Sequence, residues 1–241
     1  MTGNWMTPMP SSLALECCRW ERGILSGLSK SASQPMMTSK PLRMLTLGDS
    51  YTIGSGLPAD DSWPYQLTSQ LRQKGIKIAD PVIIAQSGWA SLNLIEALNS
   101  NPPSGSFNLV SLQIGVNDQY EKIEPSVYAE NFRDLLDRSI SFSRKGAEGV
   151  LVLSIPDWSV TPHGGEFDRS QVQEELDQYN AINLAAARLR GVEYIDLTSS
   201  SRFAEQYPEL LADDGLHPTW EMYWNWTGLI QPAALSIFRS S

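Results

Sequence analysis

Cysteine and histidine are scarce in this chain of 241 residues, which has two of each. The cysteines, Cys17 and Cys18, are adjacent, so a disulfide framework is excluded. So few thiols and imidazoles also argue against a zinc site built from cysteine and histidine. The sequence therefore predicts a protein with no metal and no cofactor.

Long apolar runs and an excess of basic residues are also missing. No run of about 18 apolar residues is present, which excludes a membrane-spanning helix. The 27 acidic residues outnumber the 18 lysines and arginines, giving a net charge of −9. A chain of this charge offers little basic surface for nucleic acid. The hydrophobic share of 41% is typical of a soluble globular chain with a sizeable core.

The first 40 residues show no sustained periodicity. They also lack the order of a signal peptide, namely a basic start, an apolar run and a small-residue cleavage site. We therefore predict a mobile extension over residues 1–40, a catalytic domain over 41–241 and a cytoplasmic location. The alternative is a short helix within residues 13–28 that packs on the domain.

The rest of the chain alternates between two hydrophobic patterns. Short runs rich in Val, Ile and Leu predict strands buried on both faces, at 43–48, 81–86, 108–115, 149–156 and 192–196. Helical periodicity lies between them, at 63–71, 127–140 and 176–187, and predicts a last helix from about Pro218 to Phe238. This alternation is typical of an α/β fold with three layers, a parallel sheet between helices.

Four short motifs occur where predicted strands end or just before the last helix. They are Gly48-Asp49-Ser50, Gln86-Ser87-Gly88, Gly115-Val116-Asn117-Asp118 and Asp213-Asp214-Gly215-Leu216-His217. Each is common by chance, but their order and placement together are specific. Because the carboxyl ends of parallel strands meet at one edge of the sheet, we expect them to converge there.

The residue types in these motifs suit acyl transfer. A serine hydroxyl such as that of Ser50 needs a base to take its proton, and His217 can be that base. Asp214 can orient the imidazole through its other nitrogen, with Asp213 as the rival carboxylate. The developing oxyanion needs fixed donors, and the N–H groups of Gly88 and Ser50 and the Asn117 amide are candidates.

Taken together, the four blocks resemble those of the SGNH hydrolases, the GDSL-type esterases and lipases, from residue 42 to the C-terminus. The resemblance implies a flavodoxin-like sheet of five parallel strands in the order 2-1-3-4-5. It also implies a catalytic triad of Ser50, Asp214 and His217 and an oxyanion hole of Ser50, Gly88 and Asn117. The predicted function is a serine esterase that cleaves small, short-chain acyl esters through an acyl-enzyme intermediate.

Two alternatives remain open at this point. A flavodoxin-like sheet can also hold FMN or a phosphate at its strand ends, which would make the chain a non-catalytic binding module. Among enzymes, the chain could be a thioesterase, a lysophospholipase or a carbohydrate acetylesterase. The Gly-x-Ser-x-Gly elbow of the α/β-hydrolases is absent, which argues against that fold.

The remaining polar and aromatic candidates are given structural roles. Asp49 and Asp118 are expected to brace their loops, and His163 is expected to be an exposed loop histidine. The aromatic residues at the start of the last helix are interpreted as a core and edge stripe rather than an acyl-binding wall; they are Trp220, Tyr223, Trp224 and Trp226.

Overall fold

The computed structural model describes residues 40–239 of the chain. Within them, five strands form one all-parallel sheet in the order β2-β1-β3-β4-β5. The strands are β1 (Met44–Gly48), β2 (Val82–Ala85), β3 (Leu109–Gln113), β4 (Val150–Leu153) and β5 (Glu193–Ile195). The predicted parallel sheet and the strand order implied by the resemblance are both confirmed.

Helices connect the strands and form the outer layers. They are α1 (Ser50–Ile53), α2 (Trp63–Gln73), α3 (Ser91–Ser100), α4 (Val116–Tyr120), α5 (Pro125–Phe142), α6 (Arg169–Arg190), α7 (Thr198–Ser201) and α8 (Trp220–Arg239). Helix α2 packs against α8, whereas α3 and α6 both pack against α5. The sheet is therefore the middle of three layers, as the sequence predicts.

Burial explains why the strands could be predicted from the sequence. The inner strands β1, β3 and β4 are fully buried, whereas the edge strands β2 and β5 are largely half-buried. A strand covered by helices on both faces must be apolar at nearly every position. Each long helix needs only one apolar stripe; in α5 it includes Tyr128, Phe132 and Leu136.

The starts of two helices differ from the sequence prediction, and a third helix was not predicted. Helix α8 begins at Trp220, because Pro218 forms an antiparallel bridge with Leu211 instead of opening the helix. Helix α6 begins at Arg169, where the Asp168 side chain accepts a hydrogen bond from the N–H of Gln171 at 3.2 Å. Helix α3 was not predicted at all.

The predicted extension over residues 1–40 lies outside the described residues, apart from Lys40, and so does the alternative helix at 13–28. The division of the chain at residue 40 therefore stays a prediction. In the described part of the chain, no helix is both long and apolar enough to cross a membrane.

The junction of β1 and α1 depends on a close approach at Gly48. A Cβ atom at this position would overlap the Thr52 hydroxyl and the Gln113 carbonyl oxygen. With no side chain there, α1 lies directly against the end of β3, and its first residue is Ser50. Since β2 and β3 flank β1, the loops that follow these three strands meet at the same edge.

Candidate active site

A cavity of about 260 Å³ opens at this carboxyl edge of the sheet. Four of the five predicted site residues line it, namely Ser50, Gly88, Asn117 and His217. The fifth, Asp214, lies directly behind the His217 ring. The structure therefore brings together residues from four separate segments of the sequence.

Ser50 is the first residue of α1 and is buried. The Asp49 carboxylate caps this helix by accepting a hydrogen bond from the Tyr51 N–H at 3.0 Å. The first N–H groups of a helix have no acceptor within it, so the Ser50 N–H is available to a bound group. Among the described residues, no hydrogen bond uses the Ser50 hydroxyl, so it is not bonded to His217 in this structure. Contacts of this kind often tighten only when substrate binds.

Asp214 and His217 form a tight local pair. One Asp214 carboxylate oxygen accepts hydrogen bonds from the N–H groups of Leu216 and His217, both at 2.9 Å. The other oxygen lies 2.6 Å from His217 Nδ1. An ionised carboxylate can only accept, so Nδ1 donates this hydrogen bond, and in the neutral imidazole the lone pair that a base needs lies on Nε2. Asp213 is exposed and makes none of these contacts.

The charge state of Asp214 agrees with this geometry. Burial raises the pKa of Asp214, but hydrogen bonds from the His217 ring and from the N–H groups of His217 and Leu216 outweigh that effect. The pKa of Asp214 therefore lies below its usual value, and the carboxylate is ionised at neutral pH.

Of the two other candidate donors, Gly88 lies in the loop after β2 and Asn117 lies in the first turn of α4, after β3. Gly88 has a φ of 81°, a left-handed conformation that favours glycine, and no hydrogen bond among the described residues uses its N–H. The Asn117 amide donates one hydrogen bond, to the Trp89 carbonyl at 2.8 Å. Since a side-chain amide has two N–H groups, the second remains for a ligand.

A buried carboxylate connects the same two segments, because Asp118 of α4 contacts Ser91 at the start of α3. Asp118 accepts hydrogen bonds from both the N–H of Ser91, at 2.8 Å, and the Ser91 hydroxyl. Burial raises the pKa of Asp118, and the bonds from Ser91 act in the opposite direction. Because Ser91 follows the Gly88 loop and Asp118 follows Asn117, this contact fixes the spacing of the two candidate donors. The bracing that the sequence suggests for Asp118 is thus a link between these two segments.

The cavity has an aromatic wall that the sequence did not predict. Tyr120, Trp158 and His163 line the cavity, and Phe167 packs behind them. Their rings are in mutual contact, with centroids 5.0 to 6.1 Å apart. For Trp158 the sequence held a signal, because residues 155–162 come shortly after β4 and so belong at the edge where the other loops meet.

The structure corrects the prediction made for His163. It was expected to be an exposed loop histidine, but it is half-buried in the cavity wall. The reason is that residues 158–167 fold toward the segment that carries His217: the His163 N–H donates to the Gly215 carbonyl at 3.3 Å.

Tyr51 is a second residue that sequence reasoning missed. It lines the cavity, and its ring centroid lies 5.7 Å from that of His217. The aromatic residues at the start of α8 do not line this cavity. Tyr223 and Trp226 are buried in the core, whereas Trp220 and Trp224 are exposed, in line with the core and edge stripe that the sequence suggests.

Asp49 gives the structure a testable pH dependence. Burial raises the pKa of Asp49 to about 7, and the nearby Asp118 carboxyl acts in the same direction, against the hydrogen bond from Tyr51. Between about pH 4 and pH 7, the folded chain thus keeps a proton that the unfolded chain has lost, so this group makes stability fall as pH rises. Asp49→Asn should remove this loss of stability, because asparagine does not titrate. The amide oxygen can still accept the hydrogen bond from Tyr51, so the helix cap should persist.

We subtract the free energy of unfolding of the unaltered chain from that of Asp49→Asn. This difference is expected to rise by on the order of a few kcal/mol between pH 4 and pH 8. Urea unfolding curves across this range measure the difference. Asp60→Asn, which removes an exposed carboxylate near α2, is the control. Parallel pH profiles for Asp49→Asn and the unaltered chain would contradict the expectation.

The site shows no arrangement for a metal. In the described residues, no group of three or more His, Cys, Asp or Glu side chains is placed to hold a metal ion. The polar groups that converge on the cavity are instead a hydroxyl, an imidazole paired with a carboxylate, and amide donors. Such a set is suited to nucleophilic attack and to stabilising an oxyanion.

Comparisons with known proteins point in the same direction. A family model described as the GDSL-like lipase/acylhydrolase family matches residues 46–224, which include all four motifs. An arylesterase from Vibrio mimicus is 26% identical over 182 residues, covering 73% of this chain and 80% of that protein.

Solved structures share the fold. TesA matches with a TM-score of 0.63 at 19% identity, over 81% of this chain and 99% of that chain. Axe2, an acetylxylan esterase from Geobacillus stearothermophilus, matches with a TM-score of 0.62 at 18% identity, over 82% of this chain and 94% of that chain. At such identities the likeness is one of fold.

Proposed function

Because the chain belongs to the GDSL-like lipase/acylhydrolase family and is a carboxylic ester hydrolase, we propose that it is a serine esterase for small, short-chain acyl esters. In this proposal Ser50, His217 and Asp214 form the catalytic triad. The N–H groups of Ser50 and Gly88 and the amide of Asn117 form the oxyanion hole. Family membership sets aside the alternative of a non-catalytic binding module.

The observation that carries the proposal is the pairing of Asp214 with His217 beside a cavity that Ser50 also lines. With Nδ1 donating in this 2.6 Å contact, the lone pair of the neutral imidazole lies on Nε2. That is the nitrogen that must receive the serine proton.

The reaction follows from these groups. His217 Nε2 takes the proton of Ser50 as its Oγ bonds to the ester carbonyl carbon, and the carbonyl oxygen becomes an oxyanion held by the proposed donors. The bond to the alcohol then breaks, and the imidazolium gives its proton to the leaving oxygen. His217 Nε2 then takes a proton from water as the water oxygen bonds to the acyl carbon; the bond to Ser50 Oγ breaks, Oγ receives that proton from the imidazolium, and the acid is released.

The size of the cavity supports short acyl groups. Pockets for small molecules are typically about 300–1,000 Å³, and this one measures about 260 Å³. Its aromatic wall suits a compact apolar or planar group, and a long acyl chain would extend into solvent. Esters of small acids therefore fit better than lysophospholipids.

A series of p-nitrophenyl esters tests the proposed substrate class. We expect kcat/KM to be highest for acetate or butyrate and to fall for octanoate and palmitate, because the longer chains leave the cavity. Ser50→Ala provides the background rate for each ester. A kcat/KM that rises with chain length would indicate a lysophospholipase. A much higher kcat/KM for thioesters of the same acids would indicate a thioesterase.

The oxyanion hole is tested by Asn117→Ala. We expect kcat to fall by about 10²–10³ with little change in KM, since the donor acts mainly on the transition state. Steady-state kinetics with p-nitrophenyl acetate measure both constants. Asn225→Ala, an exposed asparagine on α8 outside the cavity, is the matched control. An increase in KM alone would make Asn117 a substrate-binding residue instead.

A further inference from the structure

A pair of exposed tryptophans lies on α8, outside the catalytic cavity. Trp220 and Trp224 are 41% and 46% exposed. Their rings stack nearly parallel, with centroids 5.4 Å apart and planes 20° apart. Large aromatic surfaces are usually removed from water, so two adjacent exposed rings indicate a binding surface.

A groove of about 300 Å³ lies beside this pair, between α2 and α8. Residues four apart on a helix share a face, and here that face carries Trp220, Trp224 and Gly228. Trp220 stacks on the Trp224 ring, whereas Gly228, which lines the groove together with Trp224, contributes no side chain. A Cβ atom at Gly228 would meet no atom within 4 Å. The groove is therefore open next to Trp224.

Amide side chains form the rest of the groove. Gln231 donates to the Gln70 carbonyl oxygen at 2.6 Å, and Gln70 donates to the Thr227 hydroxyl at 2.7 Å. This chain of bonds holds the inner wall in one orientation. Towards solvent, Gln73 and Lys74 also line the groove, and no hydrogen bond or ion pair among the described residues uses their side-chain polar atoms.

We propose that this groove, formed by Gln70, Gln73, Lys74, Trp224, Gly228 and Gln231, is a binding site for an uncharged saccharide ring. The face of an indole carries partial negative charge and attracts the C–H groups on the apolar face of a sugar. Amides offer donors and acceptors together, which matches the hydroxyl groups along the sugar edge. With one lysine as its only charged side chain, the groove has little to select a multiply charged ligand.

The proposed site is separate from the catalytic cavity, since the two share no lining residue. It would hold the enzyme on a carbohydrate without taking part in the reaction. Hydrolysis of a small ester such as p-nitrophenyl acetate should therefore not depend on the groove, and the proposal stands or falls independently of the proposed function.

Calorimetric titration of the full chain with xylobiose, cellobiose and maltose tests the proposal. We expect at least one of them to bind, and Trp224→Ala to weaken that binding by about tenfold or more. Gly228→Leu should do the same by filling the groove, while the leucine suits a helix better than glycine does. Leu229→Ala, an exposed apolar residue outside the groove, is the matched control.

Both variants should keep the kcat/KM of the unaltered chain for p-nitrophenyl acetate, which shows that they are folded. The proposal is wrong if none of the three sugars binds, or if binding survives in both variants. It is also wrong if Trp224→Ala turns a dimer into a monomer without changing sugar affinity, since the tryptophans would then cover a second copy of the chain.

Discussion

Replacing Ser50 by alanine is expected to lower kcat for p-nitrophenyl acetate by on the order of 10⁵, the largest effect of any single substitution proposed for this chain. In the proposed mechanism the Ser50 oxygen forms the acyl-enzyme, so the variant would keep only the proposed oxyanion donors and substrate binding to assist attack by water. Because no hydrogen bond among the described residues uses the Ser50 hydroxyl, the change should cost little stability. Steady-state kinetics with p-nitrophenyl acetate measure the fall in kcat, and thermal unfolding measures the change in stability.

Two other serines near the site serve as controls for Ser50. Ser55 and Ser87 share a hydrogen bond between their hydroxyls, and Ser87 lines the cavity. Alanine at either position should leave most of the activity, because the proposed mechanism uses neither hydroxyl. If Ser50→Ala stayed active while Ser87→Ala did not, the nucleophile would be Ser87.

Asp214→Asn is expected to lower kcat by about 10⁴ with little change in KM. Asparagine can still accept the hydrogen bonds from the N–H groups of Leu216 and His217, so the turn should persist. Its amide, however, can donate to Nδ1 and so favour the tautomer that carries the proton on Nε2. That tautomer cannot accept the proton of Ser50 at Nε2. The asparagine also lacks the negative charge with which Asp214 would stabilise the imidazolium.

Asp213→Asn is the matched control for this substitution. Its carboxylate is exposed and one residue away, and it makes no hydrogen bond to His217. Activity should therefore change by no more than about twofold. A severe loss in Asp213→Asn together with an active Asp214→Asn would contradict the assignment of Asp214 and would require a different turn around Gly215.

Local patterns explain why much of the fold was predictable. The inner strands are covered on both faces, so their apolar character is nearly continuous and marks them in the sequence. The strand order, by contrast, came from the resemblance, because periodicity does not say which strands are neighbours. Helix α3 went unpredicted since it is ten residues long and has only three fully buried positions: Ser91, Leu94 and Leu98.

The sequence by itself determined the parts of the site that depend on short separations. Asp214 and His217 are three residues apart on one turn, so their spacing already predicts their contact. The tertiary structure alone decided which distant residues complete the cavity. Tyr120, Trp158 and His163 form its wall, and Asp118 reaches Ser91, because loops from different strands end at the same edge. Such contacts depend on the path of each loop through space, which no local pattern in the sequence records.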